Sequence, residues 1–368
     1  MRIVKAEIFK ARIALKMPFK TALGSGQATE TLFIRLHTDD GLVGMGEASY
    51  MGTVVGETLS TGAAAAVEYA RLLLDKNPLA LKPLTKQMRS LLPNNPTTRS
   101  ALDMALYDIV GQAVGMPIYA LLGGERRPLT TDMTIGIDTP EAMTRTARDY
   151  VDRGFSAIKI KLGTAYREDI ERVSRIRAEV GDDIQLRVDA NQGWDHVTAL
   201  KVLRELSSLD IQYCEQPVPA CDLEGITYLR QLSPVPIMAD EAVFDQYDAF
   251  RLIKRESCDY INIKLAKSGG IDTAMSISSV AEAAGIKCMI GCMAESRLGL
   301  TASAHLASAL DNIVFYDLDG AEMHIDDPIE GGLVYHHGGE IELPTAPGLG
   351  ATIDQTFLDQ LEKISVTS

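Results

Sequence analysis

The chain has 368 residues, 46% apolar and 23% charged, with 36 Lys+Arg against 50 Asp+Glu for a net charge of −14. That length and balance suit one large or two ordinary folded domains, and the anionic surplus argues against a nucleic-acid or anionic-membrane surface. Five cysteines without a C-x-x-C pair favour neither a disulfide framework nor a thiolate zinc site; with no signal-peptide core at the N-terminus and no apolar run of about 18 residues, a cytoplasmic protein is expected.

Residues 1–125 read as an α+β domain. Strands are predicted at 3–13, 31–37 and 42–48, the last two joined by the turn Asp39-Asp40-Gly41. Helices follow at 57–74 and 99–114, the second with Thr97 or Thr98 as its cap. From 126 to 325 the texture changes to short apolar strands alternating with helices. The strands fall at 131–137, 157–162, 184–190, 211–216, 236–240, 260–265, 287–292 and 314–319. The helix after the first starts at Thr139-Pro140 and stops before Gly154. Eight such units argue for an α/β fold with a (β/α)8-type barrel, ahead of an open doubly wound sheet. The Gly- and Pro-rich tail, 326–368, is expected to pack back on the N-terminal domain.

Barrel strands are buried on both faces and should be apolar, so polar residues near their C-terminal ends stand out, where active sites of this fold lie. Strand two carries Lys159 and Lys161 on one face. Strands three, four and five end in Asp189, Glu215 and Asp240, about one strand–helix unit apart. Neighbouring strands lie roughly 4.8 Å apart, so three such carboxylates would repel unless a cation sat among them. All-oxygen ligands favour Mg²⁺, with Mn²⁺ as a substitute. Lys264 on strand six lies across the ring from strand two. Strand eight ends Asp317-Leu318-Asp319, which suits a substrate cation.

Two lysines on either side of a cation-held centre suggest two bases flanking one carbon, one removing a proton and the other returning one on the opposite face. The carbon would lie α to a carboxylate, whose developing charge the cation stabilises. A free lysine with a pKa of about 10.4 is a poor base at neutral pH; like charge from a neighbouring lysine and the cation would lower it. Lys161 is read as the base and Lys159 as its tuner and carboxylate partner, with the reverse assignment left open.

The motifs Lys159-Ile160-Lys161, Val188-Asp189-Ala190-Asn191-Gln192, Glu215-Gln216-Pro217, Ala239-Asp240-Glu241 and Asn262-Ile263-Lys264 through Gly270 resemble the enolase superfamily, muconate-lactonizing subgroup, over nearly the whole chain. The resemblance implies that the N-terminal domain caps the barrel, that Mg²⁺ sits on Asp189, Glu215 and Asp240, and that Lys161 and Lys264 are the acid/base pair. Within the subgroup the chain looks most like the dipeptide epimerases, typified by L-Ala-D/L-Glu epimerase. That likeness implies a substrate ammonium on Asp317 and Asp319, further substrate contacts at Thr134, Lys159, Lys161, Cys292 and Ala294, and a specificity loop of the cap with Phe19, Gly24 and Met51.

Two departures bear on specificity. Gly24 stands where the Ala-Glu enzymes carry an arginine, and Ala294 where relatives selecting cationic dipeptides can carry an acid. The expected substrate is therefore an L-Ala-Xaa-type dipeptide with a neutral or hydrophobic second residue. L-Ala-D/L-Glu epimerase, N-acylamino-acid racemase and o-succinylbenzoate synthase are the alternatives, and a non-catalytic dipeptide-binding protein the rival of another class. The partner expected is the dipeptide itself, with no nucleic acid and no membrane, and with a homo-oligomer left open.

Overall fold

Eight parallel strands pair in sequence order: Met133–Ile135, Ala157–Lys161, Gln185–Asp189, Ile211–Glu215, Ile237–Ala239, Tyr260–Ile263, Lys287–Ile290 and Ile313–Tyr316. In this computed structural model, which describes residues 1–367, the last strand returns to the first. Asp132 N donates to Tyr316 O (3.2 Å) and Leu318 N to Thr131 Oγ1 (2.8 Å) across the seam. The sheet thus curls into the expected barrel, with a helix between successive strands.

Alternation along the strands sorts the side chains. Ile158, Ile160, Val188, Ile237, Ile261, Ile263 and Ile290 face outward into the apolar layer beneath the helices. Inside, the lower layer is Tyr213, Met238, Met289 and Phe315 with Tyr260 against them. The Arg187 guanidinium lies over the Tyr213 and Phe315 rings and pairs with Asp132 at 2.7 Å. The barrel floor is therefore filled, and only its upper mouth is open to chemistry.

The N-terminal antiparallel sheet is built from Ile3–Thr21, Gly24–Thr38 and Val43–Ser49, closed on its other edge by the C-terminal strand Glu362–Thr367. The tail's other strands pair elsewhere: Ile329–Gly331 with Ala351–Ile353, and Glu340–Glu342 with Leu129–Thr130 ahead of the barrel. The first two strands run well beyond the predicted 3–13 and 31–37. Residues 18–23, expected as a loop, are the far end of a long β-hairpin, with Phe19 opposite Gly26 and Thr21 opposite Gly24. In the first strand's extension Leu15, Met17 and Phe19 alternate with Lys16, Pro18 and Lys20, and Leu15 and Phe19 are half-buried.

Helix Pro96–Val114 is buried almost all round, as a helix wedged between two layers must be. Gly44 and Gly46 let strand Val43–Ser49 lie directly on it: a Cβ at either would fall within 2.1 Å of a helix carbonyl oxygen. Its predicted cap is corrected. Asn95 holds the cap position with Pro96 at the first turn, and Thr97 and Thr98 lie inside the helix. The free amides of Thr97 and Thr98 donate instead to the buried Glu57 carboxylate (2.7 and 3.1 Å). The predicted helix 57–74 is shorter, Leu59–Leu73, and helix Leu81–Leu91 was not anticipated.

Candidate active site

Strand two delivers both lysines inward. Lys159, 1% exposed, has its ammonium 2.7 Å from Glu215 Oε2, 2.7 Å from Asp317 Oδ2 and 3.3 Å from Asp189 Oδ2. Lys161, one turn of the pleat higher, donates to Asp189 Oδ2 at 2.5 Å. Across the mouth Lys264 donates to Asp240 Oδ2 at 2.8 Å. Burial works against the charge on Lys159 and Lys264, but the surrounding carboxylates overcome it and hold both above the ordinary lysine range.

The three acids do not sit in one row. Asp189 and Glu215 are direct register partners, whereas Glu215 faces Met238, so Asp240 lies two residues further along. The even step keeps its side chain on the inner face. Strand five stops at Ala239 and strand six at Ile263, so Asp240 and Lys264 project from just past their strand ends. Strand eight stops at Tyr316, and Asp317 and Asp319 converge from the segment beyond it.

Burial raises Glu215 to about 7, helped by the Asp189 charge. Asp189 and Asp240 are driven up by burial and further down by facing lysines, so both stay ionised below the usual carboxylate range. Glu215 Oε2 and Asp240 Oδ1 meet ammonium groups as ion pairs but accept no well-directed hydrogen bond. Neighbouring Glu241 Oε2 and Asn191 Oδ1 are also without a donor, though buried. Buried carboxylate and amide oxygens without a directed donor are the ligand type a hard divalent cation takes. That chemistry suits Mg²⁺ on Asp189, Glu215 and Asp240, whose oxygens here pair with Lys159, Lys161, Lys264 and Lys267; the group of described acids and thiols that already lies within ligating distance of one another is Cys292, Asp317 and Asp319.

At the strand-eight side, Asp319 Oδ2 accepts from Thr134 N (2.7 Å) and its Oδ1 lies 3.9 Å from the Cys292 thiol. Burial, then Asp317, raises Asp319 to about 6, while Lys159, Lys161 and Lys264 outweigh burial at Asp317 and keep it low. Two buried acids there offer a seat for one cationic group.

Lys161, Lys264, Asp240, Thr134, Cys292, Ala294, Asp317 and Asp319 all border one cavity, together with Phe19 and Met51 from the cap. Lys159, Asp189 and Glu215 lie behind its wall. Gly24 lines a second cavity of about 240 Å³ under the cap, which shares Leu15, Phe19, Thr21, Met51, Met293 and Ala294 with the first.

Sequence reasoning missed three supports. Lys267 braces Asp240 Oδ1 at 2.7 Å, and Asn262 Nδ2 donates to Glu215 Oε1 at 2.7 Å. Both were inside the quoted strand-six motif but without a role. Glu47, from the cap, accepts from Ser296 N (2.9 Å), Ser296 Oγ (2.6 Å) and Gly299 N (2.9 Å), capping the helix Arg297–Ala309 that follows Met293 and Ala294. No local signal announces it, because its partners lie some 250 residues away in the chain.

The mandelate racemase / muconate lactonizing enzyme N-terminal domain matches residues 3–123, and the enolase C-terminal domain-like family matches residues 142–357. The chain belongs to the enolase superfamily. Within it, the chain is similar to a D-Ala-D/L-Ala epimerase of Cytophaga hutchinsonii, at 39% identity over 100% of both chains. It is also similar to a hydrophobic dipeptide epimerase of Enterococcus faecalis, at 41% over 95% of this chain and 99% of the relative. An L-Ala-D/L-Glu epimerase of Bacillus subtilis matches at 39% over 95% and 96%. The crystal structure of the Cytophaga dipeptide epimerase with Mg and D-Ala-L-Val superposes with a TM-score of 0.98 over 100% of both chains, at 39% identity. The Enterococcus enzyme with Mg and L-Leu-L-Tyr superposes with a TM-score of 0.93 over 96% of this chain and 100% of that one, at 40% identity. Each relative spans both the cap and the barrel, so the superfamily membership covers the whole site.

Proposed function

We propose that this chain is a Mg²⁺-dependent dipeptide epimerase that inverts the α-carbon of the C-terminal residue of a dipeptide with a neutral second side chain. One observation carries the reading: Lys161 and Lys264, from strands on opposite sides of the barrel, border a single cavity that also holds the Asp317–Asp319 pair. The relatives named as dipeptide epimerases support it.

The Asp317 and Asp319 carboxylates hold the substrate ammonium and so fix the peptide's direction. The reacting α-carbon then lies between the two lysine Nζ atoms. An unprotonated Nζ on one side takes the α-proton, and the protonated Nζ opposite delivers one to the other face. Bound on Asp189, Glu215 and Asp240, Mg²⁺ supplies positive charge that stabilises the negative charge developing on the substrate carboxylate. Lys159, locked on three acids, holds Asp189, Glu215 and Asp317 in place and lends the site a fixed positive charge.

Specificity for a neutral second residue rests on the cap cavity, where no charged side chain lines the wall and both Gly24 and Ala294 are uncharged. Against an N-acylated substrate stands Asp319, which would then face no cation, since the nearby Lys159 ammonium is taken by Asp317, Glu215 and Asp189. The free cysteines and the absence of any described helix long and apolar enough to cross a membrane support the cytoplasm as its place.

The test is a dipeptide panel followed by NMR in D₂O with Mg²⁺ and after chelation. Solvent deuterium should enter the C-terminal α-position, fastest with Ala-Leu or Ala-Phe, and chelation should abolish it. A highest kcat/KM on Ala-Glu would refute the neutral preference; no exchange with any dipeptide would leave a binding protein.

A further inference from the structure

Helix Ile271–Ala283, which follows the strand-six base, begins without a cap of its own. Its N-cap residue is Gly270, which has no side chain to accept from the free amides of the first turn. The N-terminal domain supplies the acceptor. Asp103, fully buried inside helix Pro96–Val114, accepts at Oδ2 from Ile271 N (2.5 Å) and Asp272 N (3.4 Å). From the first turn of the same helix, Thr97 Oγ1 donates to Ala266 O at 3.1 Å. The approach needs glycine: a Cβ on Gly270 would come 2.2 Å from Asp103 Oδ2, and one on Gly269 would come 2.2 Å from the Arg99 guanidinium.

The segment so held starts at Lys264. The Lys264 carbonyl accepts from Lys267 N (3.0 Å), Ser268 N (2.9 Å) and Ser268 Oγ (3.0 Å), so one tight turn joins the base to the two glycines. One tie of this turn goes to the barrel, where the Lys267 ammonium donates to the carbonyls of Val243 (2.9 Å) and Asn262 (3.3 Å). The other goes to the N-terminal domain, through Thr97 and Asp103. Lys161 is held differently. The turn after it is fixed by Asp169 of helix Tyr166–Val180, which accepts from Gly163 N (3.2 Å), Thr164 N (3.0 Å) and Trp194 Nε1 (3.1 Å), all within the barrel. Helix Pro96–Val114 lines neither the reaction cavity nor the cap cavity, so its route to the chemistry runs through the turn after Lys264.

We propose that Asp103, assisted by Thr97, is a positioning residue for Lys264, so that the N-terminal domain sets the place of one base while the barrel alone sets the place of the other. This rests on the two-lysine reading of the site. Without Asp103 the turn loses its second tie and the Lys264 ammonium loses its alignment with the α-carbon. Proton transfer needs the donor and acceptor within hydrogen-bond reach, so a small displacement costs rate steeply. The Asp317–Asp319 seat lies on another strand end, so substrate binding is little changed.

The experiment follows α-deuterium exchange in D₂O with Mg²⁺, separately from L-Ala-L-Leu and L-Ala-D-Leu. Lys264→Ala identifies the epimer whose exchange depends on Lys264. Asp103→Ala should slow exchange of that epimer by about 10- to 100-fold, with KM and exchange of the other epimer within about twofold of wild type. Thr97→Val, which removes one hydrogen bond and keeps the shape, should act in the same direction by about fivefold. Asp103→Asn keeps an acceptor oxygen of equal capping strength and should recover most of the lost exchange. Amide hydrogen exchange in Asp103→Ala should quicken at 265–272 and not at 162–165. A merely structural role would lower both epimers' exchange together. Equal losses for the two epimers, or no loss for either, in Asp103→Ala would overturn the proposal; should that variant not fold, the same criterion falls on Thr97→Val. Failure of the proposal leaves Lys264→Ala selective for one epimer. Failure of the underlying reading removes exchange from the wild type, or makes Lys264→Ala lose both epimers alike.

Discussion

The barrel mouth and the cap meet across one cavity but are made of opposite materials. The mouth is charge held by charge: Lys159, Lys161, Lys264, Asp189, Glu215, Asp240 and Asp317 are all buried and interlocked by contacts of 2.5–3.3 Å. The cap side is Leu15, Phe19, Thr21, Met51 and a hairpin whose cavity-lining residues are uncharged, Lys16 and Lys20 lying outside that lining, and whose flank is open enough to leave Met17 65% exposed. Buried ions need fixed partners, because each unpaired one costs several kcal/mol, and strand ends of a packed barrel fix partners well. Shape selection needs only surface, and a hairpin can change its tip without disturbing those partners. The contrast implies that substitutions at the mouth lower turnover for every substrate, while those in the cap reorder substrates.

The largest effect expected is from Lys264→Ala and Lys161→Ala. Each should lower kcat for epimerisation by about 10³–10⁴, the upper range for a lost acid or base. Each should still exchange the α-proton of one substrate epimer with D₂O, a different epimer in the two variants. Loss of both exchanges in both variants would break the two-base assignment.

Next is Asp319→Asn, which removes one acid from the ammonium seat. A drop of about 10²-fold in kcat/KM on dipeptides is expected, with N-acetylated analogues changed several-fold less. Equal losses would mean that the pair shapes the site without reading the ammonium.

On the cap side, Ala294→Asp should raise kcat/KM for Ala-Lys relative to Ala-Leu by about tenfold, with the maximal rate on Ala-Leu little changed. Gly24 is the poorer place for a new charge: its φ of +140° disfavours any side chain, although a Cβ there has open space.

Glu47→Gln tests the joint between the two regions. It keeps the shape but removes the charge from a buried helix cap, so a loss of about 1–3 kcal/mol in denaturant unfolding is expected. If this joint also positions Met293 and Ala294, KM should rise more than kcat falls.

The smallest effect concerns pH. His305 is buried, accepts from Tyr119 N at Nδ1 (3.3 Å) and donates from Nε2 to Leu349 O (3.2 Å), and burial lowers its pKa from about 6.5 to about 4. The unfolded chain takes up this proton first as pH falls, so the stability due to neutral His305 is complete above about 6.5 and declines towards 4. Unfolding curves at pH 7 and 4.5 should converge when wild type and His305→Gln are compared, with the variant the less pH-sensitive.

Much of the site was legible because its polar residues violate the apolar rule of buried strands. Lys161, Asp189, Glu215 and Asp240 announced themselves that way, and alternation placed them on one face. The hairpin extension around Phe19 was overlooked: Ile13, Leu15, Met17 and Phe19 do alternate, but Pro18 and the glycines at 24 and 26 read as loop signals over that stretch. The Thr97/Thr98 cap was misplaced because a side chain 40 residues earlier, Glu57, satisfies that helix end. Glu47 and Lys267 were silent for the same reason: their partners are set by the packing of one element on another.

The amino-acid order by itself determined the strand–helix alternation, the inward parity of the lysines and acids, and the uncharged character at positions 24 and 294. These depend on local period and residue type, which neighbours along the chain specify. Only the tertiary structure decided that Lys161 borders the cavity while Lys159 lies behind it, and that Asp240 stands two residues above Glu215. Those outcomes depend on strand stagger and on how the hairpin closes over the barrel, relations between segments far apart in sequence that no local pattern encodes.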